Sequence, residues 1–165
     1  MSLLGFTRIS VIASKGGASS TSKTWATQND RKQFVAKVLA SWKALEVDAV
    51  VCPCTVLPAP HSGSTAALPS MCNYTAFYNL LDAPAGTLPV TYATEAEDAE
   101  LVSSYPRRDP WDKKVVAASA GAGAAGVAVG VQIAALPWED EKCLRVMKEV
   151  ELAVNFQPSG GVVGQ

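Results

Sequence analysis

The chain has 165 residues, 48% of them hydrophobic and 18% charged, which suits a globular domain with a core and excludes a disordered segment. Lysines and arginines form no long run and the formal net charge is -1, so nucleic-acid binding has no electrostatic footprint. One histidine and four cysteines (Cys52, Cys54, Cys72 and Cys143), spaced unlike any common zinc pattern, argue against a metal site or cofactor and for reduced thiols in a cytosolic setting.

Residues 1–23 are ambiguous. Residues 3–13 suit a short helix or strand, interrupted by Gly5, Thr7, Arg8 and Ser10 and too short to cross a bilayer. The Gly/Ser-rich run 14–22 reads as a flexible loop. Residues 30–45 predict a helix, because Phe34, Val35, Val38, Leu39, Trp42 and Leu45 recur at steps of three and four. Residues 47–52 predict a buried strand, read as parallel because neither face is polar. Pro53, Pro58 and Pro60 then impose an extended loop.

Residues 73–81 predict a second helix with Tyr74, Phe77, Tyr78 and Leu81 on one side, ended by Pro84, Ala85 and Gly86. Residues 87–92 predict a strand in which Pro89 demands an edge position or a bend. The acidic stretch 95–100 reads as a solvated surface patch, and 105–110 as a polar turn. Asp109 or Pro110 starts a short helix reaching 118, and the small residues 121–126 follow as a flexible connection.

Residues 127–135 predict a central strand, with Gln132 a polar residue that must find partners when buried. Residues 137–141 open the last helix with acids in its first turn, where unpaired N–H groups favour negative charge. Its apolar stripe is Cys143, Leu144, Met147, Val150 and Val154, interrupted by Glu151. Residues 158–165 read as a flexible tail. The succession predicts an α/β fold: a small, mostly parallel sheet with flanking helices. Strand 127–135 is apolar on both sides, and any uncovered sheet surface would drive self-association or association with a partner.

Candidate chemistry is sparse. Lys15, Gly16, Gly17, Ser19 and Ser20 look like pieces of a Ser–Ser–Lys hydrolase, but Ala18 and Thr21 break the pattern, and a loop is the better reading. His61 is on a proline-bound loop with no acidic neighbour in sequence, so a Ser-His-Asp triad is not expected. Cys52-Pro53-Cys54 spaces its thiols more tightly than a redox pair does and reads as core thiols at a strand end.

The stronger signals are longer. Ser41-Trp42-Lys43-Ala44, Asp48-Ala49-Val50-Val51-Cys52-Pro53, the stretch 74–90 (beginning Tyr74-Thr75-Ala76-Phe77-Tyr78-Asn79-Leu80-Leu81-Asp82), Asp109-Pro110-Trp111-Asp112-Lys113 and the stretch 131–147 occur in this order. Together they resemble the C-terminal part of fatty acid amide hydrolases, of the amidase-signature family, over residues 24–157. That family's catalytic lysine and serines lie upstream, so the resemblance implies no catalytic residue in this chain. The parent would hydrolyse fatty acyl amides to fatty acid and amine, and this part alone would be inactive.

The resemblance further implies that Cys72, Asn73, Ala76 and Trp111 border an acyl-chain channel that takes a fatty acyl amide or fatty acid. Ordinary helix packing is the alternative for Cys72 and Ala76, and a half-exposed helix anchor for Trp111. It also implies a cytoplasmic setting or the cytoplasmic face of endomembranes, with peripheral membrane contact through the full-length parent. The alternative function is a noncatalytic lipid-binding or partner-binding remnant.

Overall fold

The structure is a computed structural model and describes residues 20–60, 62–63, 68–119 and 125–158. The element expected over 3–13, the run 14–19, His61, the small residues 121–124 and the tail from 159 onward lie outside them.

Helix α1 (Thr21–Ala44) starts well before the predicted position 30. The Ser20 side chain caps it, its hydroxyl accepting from the Lys23 backbone N–H at 3.3 Å, so Thr21 and Ser22 are helical and not loop. The early turns bury nothing and Trp25 is exposed, which explains the discrepancy: an apolar stripe marks only the part of a helix that packs. At the other end the Trp42 indole N–H donates to the Val47 carbonyl at 2.7 Å and turns the chain into the sheet.

Three strands, β1 (Ala49–Pro53), β2 (Ala85–Tyr92) and β3 (Ala128–Ala135), form one sheet in the order β1-β3-β2. Both pairings are antiparallel, with Val50 opposite Ala134, and Cys52 and Thr87 flanking Gln132. The α/β class holds, but the mostly parallel sheet does not. The unbroken apolar run in β3 comes from helices covering both faces, a burial that antiparallel strands can share. β3 is central as predicted, and Ile133, Ala134 and Ala135 have no exposed surface. β1 is an edge strand and not a buried one, and Val51 is half exposed. Pro89 in β2 also lies on an edge, beside a register shift between Pro89 and Thr91.

A turn of 3-10 helix (Pro69–Cys72) leads into helix α2 (Asn73–Leu81), whose span matches the prediction. Its end differs: Asp82 takes the left-handed conformation (φ 53°), and Ala85 and Gly86 already belong to β2. Arg31 donates to the Leu80 carbonyl at 2.9 Å and to the Asp82 carboxylate at 2.7 Å, tying α1 to this end. The acidic stretch is the start of a helix, α3 (Glu95–Ser104), which buries no residue. Its solvation was legible and its helicity was not, because it has no apolar stripe. A capping box between Thr94 and Glu97 starts it.

Helix α4 (Pro110–Ser119) begins where Asp109 accepts from the N–H groups of Trp111 and Asp112, each at 2.8 Å. Helix α5 (Asp140–Val154) starts after the turn containing Trp138, which has φ 70°. Its packed stripe is Cys143, Val146, Met147 and Val150. Leu144 is exposed because it lies off the packed face, and Val154, past the last packed residue Val150, is at the edge of exposure.

Among the described residues, two of three apolar clusters use the sheet. On one face Trp42, Tyr78, Leu81 and Ala134 pack with Val35, Val38, Val50 and Cys52, joining α1 and α2 to β1 and β3. On the other, Leu88, Ile133, Ala135 and Cys143 pack with Val146, Met147 and Val150 of α5. Full burial of a side chain such as Leu81 or Ile133 contributes about 1.5–3 kcal/mol relative to exposure. The third cluster stands off the sheet: Leu57, Leu68 and Met71, with Val115 and Ala118 of α4 seated on them.

Candidate functional site

Cys72 ends the 3-10 turn and is the N-cap of α2, and it is exposed. The Thr75 hydroxyl donates to its carbonyl at 3.0 Å, closing the first turn. Asn73 and Ala76 are half-buried in that turn, and Cys72 and Ala76, four residues apart, share a helix face. Trp111 lies in the first turn of α4, 45% exposed, with the Lys114 ammonium 4.9 Å from its ring centroid.

The third cluster connects these two elements. Met71, next to Cys72, is one of its buried members, and Val115 and Ala118 pack against it. Trp111 precedes Val115 by four residues and so continues the same stripe of α4, about one turn (roughly 6 Å) further toward the N-terminus. Asn73 and Ala76 thus sit on α2 with Cys72 as its N-cap, and Trp111 sits on α4, whose Val115 and Ala118 pack on the cluster that contains Met71. Neither Met71 nor Lys114 was among those expected. Met71 reads as ordinary core, and a cation three residues after a tryptophan carries no signal of its own.

A polar line runs through the first cluster. Gln132, 2% exposed, has its amide nitrogen 3.7 Å from the Cys52 sulfur, which is 3.5 Å from the Tyr78 hydroxyl. Burial, reinforced by the Cys52 contact, pushes the Tyr78 phenol well above its ordinary value and keeps it neutral. The Cys54 thiol donates to the Gly130 carbonyl at 3.4 Å, and that of Cys143 to the Ile133 carbonyl at 3.4 Å. Burial pushes the Cys143 thiol up, away from the thiolate a nucleophile needs. These groups hold the core together and are not poised for chemistry.

Of the hydrolase-like residues, Lys15, Gly16, Gly17 and Ser19 lie outside the described residues, as does His61. Ser20 is described and serves as a helix cap. Among the described residues no group of three or more His, Cys, Asp or Glu side chains is placed to hold a metal ion. Among them, too, no helix is long and apolar enough to cross a membrane.

Residues 6–144 match the model of the family described as Amidase. The chain belongs to the amidase family. It is 36% identical over 124 residues to fatty acid amide hydrolase 1 of Caenorhabditis elegans, an alignment covering 75% of this chain and 21% of that protein. It is 40% identical over 144 residues to fatty-acid amide hydrolase 1 of Sus scrofa, covering 85% of this chain and 24% of that protein. This amidase-family chain therefore spans about a quarter or less of the length of these curated relatives.

Proposed function

We propose that this chain is the C-terminal, acyl-binding part of a fatty acid amide hydrolase-like serine amidase, and that it is inactive alone. The parent hydrolyses fatty acyl amides to fatty acid and amine through an acyl-enzyme, with preorganised donors stabilising the oxyanion. The observation that supports this reading is the packing of Val115 and Ala118 of α4 on the cluster around Met71, the residue before the N-cap Cys72, with Asn73 and Ala76 following on α2 and Trp111 at the start of α4. A small-residue helix face and an exposed indole suit a fatty acyl chain, which gains about 0.8 kcal/mol per CH₂ removed from water. The same reading assigns the parent to the cytoplasm or the cytoplasmic face of endomembranes, with any membrane contact peripheral.

Two measurements on the purified chain test it. A fluorescent fatty acid should bind and be displaced by a fatty acyl amide, and Trp111→Ala should weaken that binding. A fluorophosphonate probe should leave the chain unlabelled. Labelling abolished by Ser19→Ala and Ser20→Ala would refute inactivity, and a folded chain that takes up no acyl probe would refute acyl binding.

A second reading, a noncatalytic partner-binding remnant, draws on β1, an edge strand carrying half-exposed Val51. It predicts concentration-dependent self-association in sedimentation, reduced by Val51→Lys. A monomer at all concentrations would dismiss self-association.

A further inference from the structure

We infer that Cys52 and Cys54, at the end of β1, form a two-thiolate binding site for a soft monovalent cation of the Cu⁺ type. The site uses none of the residues of the acyl-binding reading and does not depend on it.

Both sulfurs lie over the same face of the sheet. Cys52 stands opposite Gln132 in the β1–β3 register, and its sulfur is 3.7 Å from the Gln132 amide nitrogen and 3.5 Å from the Tyr78 hydroxyl. Cys54 follows the last paired residue of β1, Pro53, and its thiol donates to the Gly130 carbonyl at 3.4 Å. Gly130 and Gln132 are two residues apart in β3 and so share a face. A Cβ on Gly130 would lie 3.8 Å from the Cys54 sulfur, which puts that sulfur on the face where Gln132 meets Cys52. β1 is an edge strand and neither cysteine is fully buried, so an ion meets the pair from solvent.

Spacing decides what the pair can hold. Two steps along an extended strand separate Cα atoms by roughly 6.6–6.8 Å. That is the upper end of the disulfide range, whose usual value is about 5.5–6 Å. A linear two-coordinate ion holds its sulfurs much further apart than a disulfide does, up to about 4.6 Å for two bonds of about 2.3 Å, and so bridges the strand spacing without drawing it together. Zinc takes four ligands, and among the described residues no third His, Cys, Asp or Glu joins the two thiols. Thiolate ligands select Cu⁺ over harder cations. The tight Cys-Pro-Cys spacing, unsuited to zinc, thus suits an ion that needs two ligands.

Binding releases both thiol protons to solvent, and the bis-thiolate complex of a monovalent ion carries one negative charge. Gln132 is 2% exposed, and its amide is aimed at a thiol sulfur, a weak acceptor. Once that sulfur is an ion-bound thiolate, the contact becomes charge-assisted. The Tyr78 hydroxyl then donates as well, because the sulfur beside it has no proton to give. Gln132 and Tyr78 are therefore positioning residues, orienting Cys52 as outer partners orient metal ligands. The ion fastens the end of β1 and takes part in no reaction.

The test uses the reduced chain under anaerobic conditions. Cu⁺ is offered in competition with bathocuproine disulfonate, and Ag⁺ and Zn²⁺ are offered separately and followed by native mass spectrometry. One Cu⁺ or one Ag⁺ per chain is expected, and no Zn²⁺. Cys52→Ala and Cys54→Ser should each abolish this binding, whereas Cys72→Ser should leave it unchanged. Gln132→Leu keeps both thiols and should weaken Cu⁺ binding about 10–100-fold. Circular dichroism checks the fold of each variant. Cys54 belongs to none of the apolar clusters, so Cys54→Ser keeps the test decisive should a variant at Cys52 or Gln132 unfold. A folded parent chain that takes up no Cu⁺, binding that survives Cys54→Ser or disappears in Cys72→Ser, or Zn²⁺ bound as tightly as Cu⁺ overturns the site. Equal Cu⁺ affinity of the parent and a folded Gln132→Leu variant overturns the positioning role.

Discussion

The Tyr78 hydroxyl lies 3.5 Å from the Cys52 sulfur, across the junction of α2 and β1. Tyr78 is at once a core residue, edge-on to Trp42 and Phe77, and a polar member of a line that ends on Gln132. Replacing it with phenylalanine keeps the rings and deletes the hydroxyl. Tyr78→Phe should cost about 1 kcal/mol in urea denaturation near neutral pH, the net worth of one hydrogen bond.

The same residue governs alkaline behaviour. Its folded phenol is raised above the unfolded value of about 10. The resulting stabilisation is fully present below that unfolded value and is lost as pH rises above it toward the folded value. Urea midpoints should therefore fall above about pH 10. They should fall less steeply in Tyr78→Phe, and equal slopes for the two proteins would contradict the assignment.

The sheet should show a sharp contrast between its middle and its edge. Leu81, 1% exposed, packs on Ala134 of β3, and Leu81→Ala should cost about 2–5 kcal/mol. Val51→Ala on the outer strand should stay within about 0.5 kcal/mol of the parent. A large loss at Val51 in monomeric protein would mean that β1 is covered.

At Gly86, β2 lies close under Met147 of α5. A methyl group there would land on the sulfur and terminal methyl of Met147. Gly86→Ala should cost about 1–3 kcal/mol, toward the low end because the methionine end can swing aside. Adding Met147→Ala should recover part of that penalty in a double-mutant cycle. Strict additivity would show that the two sites do not meet.

At the start of α3, the Glu97 carboxylate accepts from the Thr94 backbone N–H at 2.8 Å and from its hydroxyl at 2.8 Å. These bonds hold Glu97 below its ordinary value. Its contribution to the helix is present above the unfolded value of about 4.3 and disappears as pH falls through the lower folded one. Hydrogen exchange in the first turn of α3 should therefore speed up, beyond its intrinsic pH dependence, only at acid pH. Thr94→Ala should remove this protection at neutral pH as well, at a local cost of about 1 kcal/mol.

Much of the fold was legible because the core elements carry periodic apolar stripes. Helix α2 was predicted to the residue, since Tyr74, Phe77, Tyr78 and Leu81 repeat on the side that packs. The centrality of β3 and the edge position of Pro89 also followed from residue chemistry. What escaped lacks a stripe: the first turns of α1 and all of α3 are helical through capping, with nothing buried there. For the candidate site, resemblance named Cys72, Asn73, Ala76 and Trp111. The packing of α4 on the cluster around Met71 was not legible, because Met71 and Val115 are far apart in sequence and look like any core residues.

Taken alone, the sequence determined which segments are apolar, which of them turn at helical or strand spacing, and which family they resemble, because these are properties of neighbours along the chain. Strand direction and the choice between edge and centre were decided only in three dimensions. So was the seating of α4 on the cluster around Met71. The physical reason is that an apolar strand is satisfied by cover on its faces whichever way its neighbours run. Which neighbours supply the cover depends on contacts between residues the chain keeps far apart.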